Sequence, residues 1–214
     1  MGDAAATYTY RPTALDEGTY GCVIRPRLPC EDEEEAALAA DSAAAAGQVS
    51  KVFWASEHAD REFELSTEAT AADPEGLFSI RPLRKCRVKR TEAALAALQG
   101  CEKLDLLSSL ALTQLVLPYG GKALDLFMNS CPITDMPHVL RALALLAARF
   151  EEVHKRGDAH MDIKASNVLY SAHARVLRFI DFSNAWEAPE YLLEPRYREY
   201  NVFPFDWWLL HLVG

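Results

Sequence analysis

Apolar residues recur along this chain with two different periods. Between Asp135 and Gly157, the residues Val139, Leu143, Leu146, Phe150 and Val153 follow one another at steps of four, three, four and three, the spacing of one helical stripe. Asp135 near the N-cap, Pro137 in the first turn, and Lys155, Arg156 and Gly157 at the far end supply the start and stop signals of that helix. Val49-Ser50-Lys51-Val52-Phe53 alternates apolar and polar, as a half-buried strand does, with Lys51 on the face opposite Val52. Leu115-Val116-Leu117 reads as a buried strand broken by Pro118, Gly120 and Gly121, and Asn167 to Tyr170 with Val176 to Ile180 as the two strands of a hairpin. Ala59 to Ala72, carrying Glu62, Glu64 and Glu68 and stopped by Asp73-Pro74, is a predicted helix. So is Thr91 to Leu112, with Thr91 as N-cap and Leu95, Leu98, Leu106 and Leu110 among its apolar positions.

Half of the 214 residues are hydrophobic, enough for one substantial core or two small lobes. The net charge of -9 argues against a nucleic-acid binder, because phosphate contacts require a basic face. No N-terminal apolar h-region and no long apolar run stand in the sequence, so neither a signal peptide nor a membrane-spanning helix is predicted. The five cysteines are odd in number, scattered and without a C-x-x-C pair, which reads as free thiols in a reducing, intracellular compartment. The acidic run Glu31 to Glu35 and the alanines that lead to Gly47 form a solvated insertion at 31–47 rather than core. The six basic side chains of residues 81–90 read as a solvated strand face or a clasp on that acidic run, in preference to a nucleic-acid or acidic-partner patch.

Candidate chemistry concentrates at residues 160–181. His160, Asp162, Lys164 and Asn167 stand as H-x-D-x-K-x-x-N, and a second acid, Asp181, follows fourteen residues after Asn167 at the end of an apolar run. Phosphoryl transfer needs an acid that orients the attacking hydroxyl, a cation near the transferred phosphate, and oxygen ligands that hold Mg²⁺ against the phosphates. Asp162 suits the first role, Lys164 the second, and Asn167 with Asp181 the third. Upstream, Gly18 and Gly21 precede Val23 in a spacing that would let backbone N–H groups approach phosphates, or equally would make a plain hairpin turn. Lys51 on its strand is either an exposed lysine or a phosphate ligand oriented by a helix carboxylate, with Glu62 favoured over Glu64.

These residues resemble the catalytic loop and metal-binding motif of eukaryotic-type protein kinases. Gly-Thr-Tyr-Gly-Cys-Val, L-P-Y-G-G at 117–121 and H-x-D-I-K look most like the reduced serine/threonine kinases of large DNA viruses and some protists. The resemblance implies an α+β, kinase-like bilobal fold: an N-terminal tail at 1–14, a β-rich N-lobe at 15–117, and a hinge with an incomplete helical C-lobe at 118–214. It implies ATP and Mg²⁺ as cofactors and a protein serine or threonine hydroxyl as acceptor, with no membrane partner. Asp162 and Lys164 would be catalytic, and Asn167 and Asp181 would hold the metal. Gly18, Gly21, Val23, Lys51, Glu62, Leu117, Pro118 and Gly120 would bind the nucleotide, Leu117 lining the adenine pocket, the Pro118 carbonyl accepting from adenine and the Gly120 N–H donating to it. His160 would brace the loop.

The match has departures. Asp16 replaces the first loop glycine, Met161 the arginine that grips an activation-loop phosphate, and Ser183 the glycine after Asp-Phe. The activation segment ends either at Ala188-Pro189-Glu190 or, as preferred, at Pro204-Phe205-Asp206. Trp207, Trp208, Leu209, Leu210, Leu212 and Val213 would then mark a partner surface or a truncated product. A pseudokinase-like module that binds a nucleotide or partner without transfer, and an inactive kinase fragment, are the rival expectations.

Overall fold

The computed structural model describes residues 11–18, 20–34, 42–71, 73–102, 111–154, 158–160, 162–184 and 186–187, of which 42–43, 152–154, 158–159 and 186–187 are described as backbone only. The architecture is mixed α+β, with a sheet-rich N-terminal region and several helices. The described residues fall into two compact units, within Met1–Phe63 plus Pro82–Tyr119 and within Glu64–Arg81 plus Gly120–Gly214. Leu106, Leu110, the 155–157 helix stop, Met161, both proposed ends of the activation segment and the apolar residues after Asp206 lie outside the described residues.

The first unit is a five-stranded antiparallel sheet. Its strands are β1 (Thr13–Glu17), β2 (Gly21–Arg25), β3 (Gln48–Phe53), β4 (Arg84–Arg87) and β5 (Thr113–Pro118), in the order β1-β2-β3-β5-β4. Between β2 and β3 lies the short helix α1 (Ser42–Ala46), and after β3 comes α2 (Ser56–Ala71), three residues earlier in its start than predicted. Helix α3 (Glu92–Leu98) follows β4.

Register sorts the side chains onto two faces, because directly paired residues point the same way. Val23, Lys51 and Leu115 are aligned across β2, β3 and β5 on one face, where Phe53, Leu115 and Leu117 pack with Ala59 and Phe63 of α2. Cys22, Ile24 and Val52 occupy the other, packed with Ala94, Ala97 and Leu98 of α3. Both faces are therefore covered, and β3 is not the half-buried strand that its alternation predicts. Ser50, its polar residue on the α3 side, is fully buried and accepts the Leu28 N–H at 2.7 Å.

The helix predicted over 91–112 is much shorter in the structure. Thr91 caps it as expected, its Oγ1 accepting the Ala94 N–H at 3.2 Å, but the helix ends at Leu98. Leu95 is exposed, and Leu112 is buried core outside any helix. Gln99 caps the helix, Gly100 follows, and Cys101 beyond them is bonded to Cys22 of β2. A second disulfide joins Cys30 to Cys86 of β4, leaving Cys131 as the unpaired cysteine. The expectation of free thiols is thus corrected for four of the five cysteines.

The acidic run is corrected as well, since part of it belongs to the folded unit. Glu33 accepts from Arg27 at 2.8 and 3.0 Å, from Arg84 at 3.0 Å and from the Cys30 N–H at 3.0 Å. Arg84 also bonds both oxygens of Asp32, and Lys89 Nζ donates to the Glu33 carbonyl. The clasp between the basic stretch and the acidic run therefore forms. Burial pushes the Glu33 carboxyl up, but the Arg27 hydrogen bonds, the Cys30 N–H and the two guanidinium charges outweigh it and hold the group below its ordinary value.

The second unit contains β6 (Lys122–Ala123), α4 (Leu124–Met128), α5 (Met136–His154), β7 (Asp158–Ala159), β8 (Val168–Ser171), β9 (Val176–Phe179) and β10 (Trp186–Glu187). Strands β6, β8 and β9 form one small sheet and β7 pairs with β10. Helix α5 lays Val139, Ala142, Leu146 and Phe150 into a core shared with Val168, Tyr170, Leu177 and Phe179 of the hairpin. Ala142, not Leu143, completes that stripe, and Leu143 is exposed. Each large apolar side chain so buried contributes about 1.5–3 kcal/mol.

Candidate functional site

The β8–β9 hairpin forms where the apolar pattern places it, with Val168 opposite Phe179 and Ser171 opposite Val176. Just before β8, Ala165–Asn167 makes a single 3₁₀ turn in which the Asn167 N–H bonds the Lys164 carbonyl at 2.9 Å. That turn folds Asn167 back on Asp162. The Asn167 Nδ2 donates to the Asp162 carbonyl at 3.0 Å and to its Oδ2 at 2.7 Å, while Lys164 Nζ donates to the same Oδ2 at 2.8 Å. Asp162, Lys164 and Asn167 thus form one constellation, with the Asp162 carboxylate held by a cation and an amide. Lys164 is 55% exposed, so its ion pair adds little to stability and is better placed to meet a ligand.

The Asp181 end of the hairpin is fixed from three directions. The Ile180 N–H bonds the Asn167 carbonyl at 3.0 Å, which brings the residue next to Asp181 against the base of the 3₁₀ turn. His160, buried at 1% exposure, accepts the Asp162 N–H through Nδ1 at 3.3 Å and so presents Nε2–H to the Ile180 carbonyl at 3.0 Å. Its ring packs against Phe179 and Phe182. His160 therefore joins the Asp162 loop to the Asp181 strand, the bracing position expected of it. Asp181 itself has φ 64°, the left-handed region that aspartate tolerates better than most residues.

On its other edge β9 meets residues 76–79. The Phe179 N–H bonds the Phe78 carbonyl at 2.8 Å, and Arg178 Nε donates to the Gly76 carbonyl at 2.6 Å. This stretch is shaped by Asp73, which is buried and accepts the N–H groups of Leu77, Phe78 and Ser79 and the Ser79 hydroxyl, each at 2.8 Å. From sequence, Asp73-Pro74 signals only a helix stop; nothing in its spacing announces an organiser of the stretch that follows, up to Ser79. Ser183 is the second residue whose part is missed. It lies in the 3₁₀ turn Phe182–Asn184 and donates its hydroxyl to Asp181 Oδ1 at 2.8 Å.

Of the nucleotide-binding candidates, Gly120 lies in this unit. It is buried, and a Cβ there would displace the terminal methyl groups of the Ile80 and Leu169 side chains. Gly121 has φ 118°, and a Cβ on it would meet the Tyr170 carbonyl.

The other candidates belong to the first unit. Lys51 Nζ lies 2.7 and 2.6 Å from the two carboxylate oxygens of Glu62, a bidentate pair whose glutamate side chain is 6% exposed. Glu64, the alternative partner, is exposed. Val23 stands directly opposite Lys51, and Leu117 lies on the same face of the sheet. Pro118 ends β5 and is exposed, followed by Tyr119, whose N–H bonds the Gly47 carbonyl at 2.8 Å.

Gly18 and Gly21 bracket the β1–β2 turn, where the Gly18 N–H bonds the Gly21 carbonyl at 2.8 Å. A Cβ on Gly21 would strike the Val52 carbonyl, whereas one on Gly18 would find, among the described residues, only the Gly21 carbonyl, at 3.8 Å. Packing explains the second glycine but not the first. The turn is held at both roots: Glu17 Oε2 accepts the Glu102 N–H at 2.6 Å and Cys22 is bonded to Cys101.

Mg²⁺ takes oxygen ligands, usually one or two protein groups together with substrate phosphates and water. Asp181 supplies a carboxylate. Asn167 commits its Nδ2 to Asp162 and keeps its amide oxygen as a second donor of the type that cation takes. Among the described residues no group of three or more His, Cys, Asp or Glu side chains gathers in a way that could hold a metal by itself. No helix among them is long and apolar enough to cross a membrane. A scan against protein-family models finds no match to this chain, and a search of the curated proteins finds none either.

Proposed function

We propose that this chain is an ATP-dependent serine/threonine protein kinase with a kinase-like bilobal fold. The observation that carries the proposal is the constellation in the second unit: Asp162 held through one oxygen by Lys164 and Asn167, beside the strand end that presents Asp181. In this reading Asp162 receives the proton of a protein hydroxyl as the γ-phosphoryl group transfers, and Lys164 offsets charge on that group. Asn167 and Asp181 hold Mg²⁺, which when bound supplies neutralisation of the phosphate oxygens. In the first unit, Lys51 oriented by Glu62 takes the α- and β-phosphates, with Val23 and Leu117 on the same face for the base and Gly18 left small for the phosphates.

A pseudokinase-like binding module is the second reading, favoured by Asp16 and Ser183 at two glycine positions of the motif. The two disulfides favour an oxidising setting over the reducing one that the cysteine pattern predicts. Transfer of the γ-phosphoryl group to a generic serine/threonine peptide mixture tests the main reading. Wild type transfers, and Asp162→Asn binds Mg·ATP as well as wild type but loses transfer by at least about a hundredfold. Full transfer by Asp162→Asn would sink the assignment, and nucleotide binding without any transfer by wild type would select the second reading.

A further inference from the structure

We infer that Ser183 is a positioning residue for the metal-binding carboxylate of Asp181, so that the serine is a working part of the site and not a loss of the expected glycine. This inference rests on the function proposed above. The Ser183 hydroxyl donates to Asp181 Oδ1 at 2.8 Å, within hydrogen-bonding range of a charged acceptor. Its own position is set by the 3₁₀ turn Phe182–Asn184, which is anchored because Phe182 is 4% exposed, lies in the hairpin core and packs on the His160 ring at 4.7 Å.

The backbone at Asp181 makes the orientation of its carboxylate a local matter. Its backbone is in the left-handed region at φ 64°, and the chain passes from strand into 3₁₀ turn across Ile180 and Asp181 alone. A hydroxyl two residues on fixes the carboxylate plane by a short local ring, the same economy by which serine side chains organise turns. A cation then meets a carboxylate already oriented, so less rotational freedom is lost on binding. Glycine at 183 could supply no such donor.

The test measures ATP affinity by calorimetry in excess Mg²⁺ and in EDTA for wild type, Ser183→Ala, Ser183→Gly and Ser183→Thr, with thermal unfolding of each as a check on the fold. The expected result is that Mg²⁺ strengthens ATP binding in wild type and Ser183→Thr. In Ser183→Ala and Ser183→Gly that Mg²⁺ enhancement falls about tenfold while affinity in EDTA is unchanged. Loss of affinity equally in Mg²⁺ and EDTA would show a merely structural role and overturn the inference. Equal Mg²⁺ enhancement in all four proteins would overturn it while leaving the kinase reading standing. If wild type bound no ATP in either condition, both would fall together. Should the alanine variant unfold, Ser183→Thr still decides: a threonine that restores less than half of the wild-type enhancement contradicts the hydroxyl's role.

Discussion

Removing the Cys22–Cys101 disulfide should destabilise the first unit severely. The bond closes a loop with a sequence separation of 79 residues and ties the root of the Gly18–Gly21 turn to the segment after α3. With the Cys30–Cys86 bond nested inside it, the loop left to be closed is about 25 residues (22–30 and 86–101), for which the chain-entropy relation gives roughly 12 cal/mol/K, or about 3.5 kcal/mol at 25 °C, of unfolded-state entropy that the bond removes. Loss of two buried sulfur atoms acts in the same direction. For a chain of this size that energy corresponds to a fall in Tm of roughly 7–14 °C. The perturbation is Cys22→Ala/Cys101→Ala, followed by circular dichroism during heating without reductant. Before heating, thiols are titrated in denaturant: wild type should show one, Cys131, out of five cysteines. Cys131→Ala should show none and melt with wild type. Five titratable thiols in wild type would refute the pairing. One thiol together with an unchanged Tm in the double variant would refute the entropic argument.

Two further outcomes test the ion pairs. Glu62→Ala leaves Lys51 without its bidentate partner in a site where the lysine side chain is 19% exposed, and should cost roughly 3 kcal/mol in denaturant unfolding, whereas Glu64→Ala should stay within about 0.5 kcal/mol of wild type. Equal effects of the two would contradict the pairing. Glu33, whose carboxyl is held below its ordinary 4.5, contributes stability that is fully present above that pH and is lost as pH falls through the lower folded value. The Tm gap between wild type and Glu33→Gln should therefore be widest near neutrality and close below pH 4.5; parallel curves down to strong acid would show that the clasp is not what holds the group.

What the sequence made legible follows physical lines. The hairpin and α5 carry strong local signals, and both form. The stripe of α5 is misread at one position because steps of three and four allow either Leu143 or Ala142 to continue it. Which one packs depends on how closely Val168 and Phe179 approach, and that is tertiary information. The helix predicted over 91–112 is overlong because its apolar spacing outweighs the one local stop signal, Gly100 just past the observed C-cap Gln99. The acidic run reads as solvated because buried charge is costly, yet Glu33 meets Arg27 and Arg84; the Arg84 contact is the clasp that the basic stretch suggests, whereas Arg27 lies outside that stretch and no charge run announces it. The candidate site was the most legible part, because its roles fix residue types at short spacing: Asp162, Lys164 and Asn167 assemble within one turn. Asp73 and Ser183 were missed because each acts through hydrogen bonds of a single side chain, which leave no periodicity.

The central claim is a self-sufficient Mg·nucleotide site that depends on Asp181, and the thermal unfolding of the chain with and without Mg·ATP tests it most directly. At 100 times its dissociation constant the ligand adds about 2.7 kcal/mol, which should raise Tm by roughly 5–10 °C. The account predicts that rise in wild type and its absence in Asp181→Ala. A cooperative transition that ignores Mg·ATP, or one that rises equally in Asp181→Ala, would contradict it.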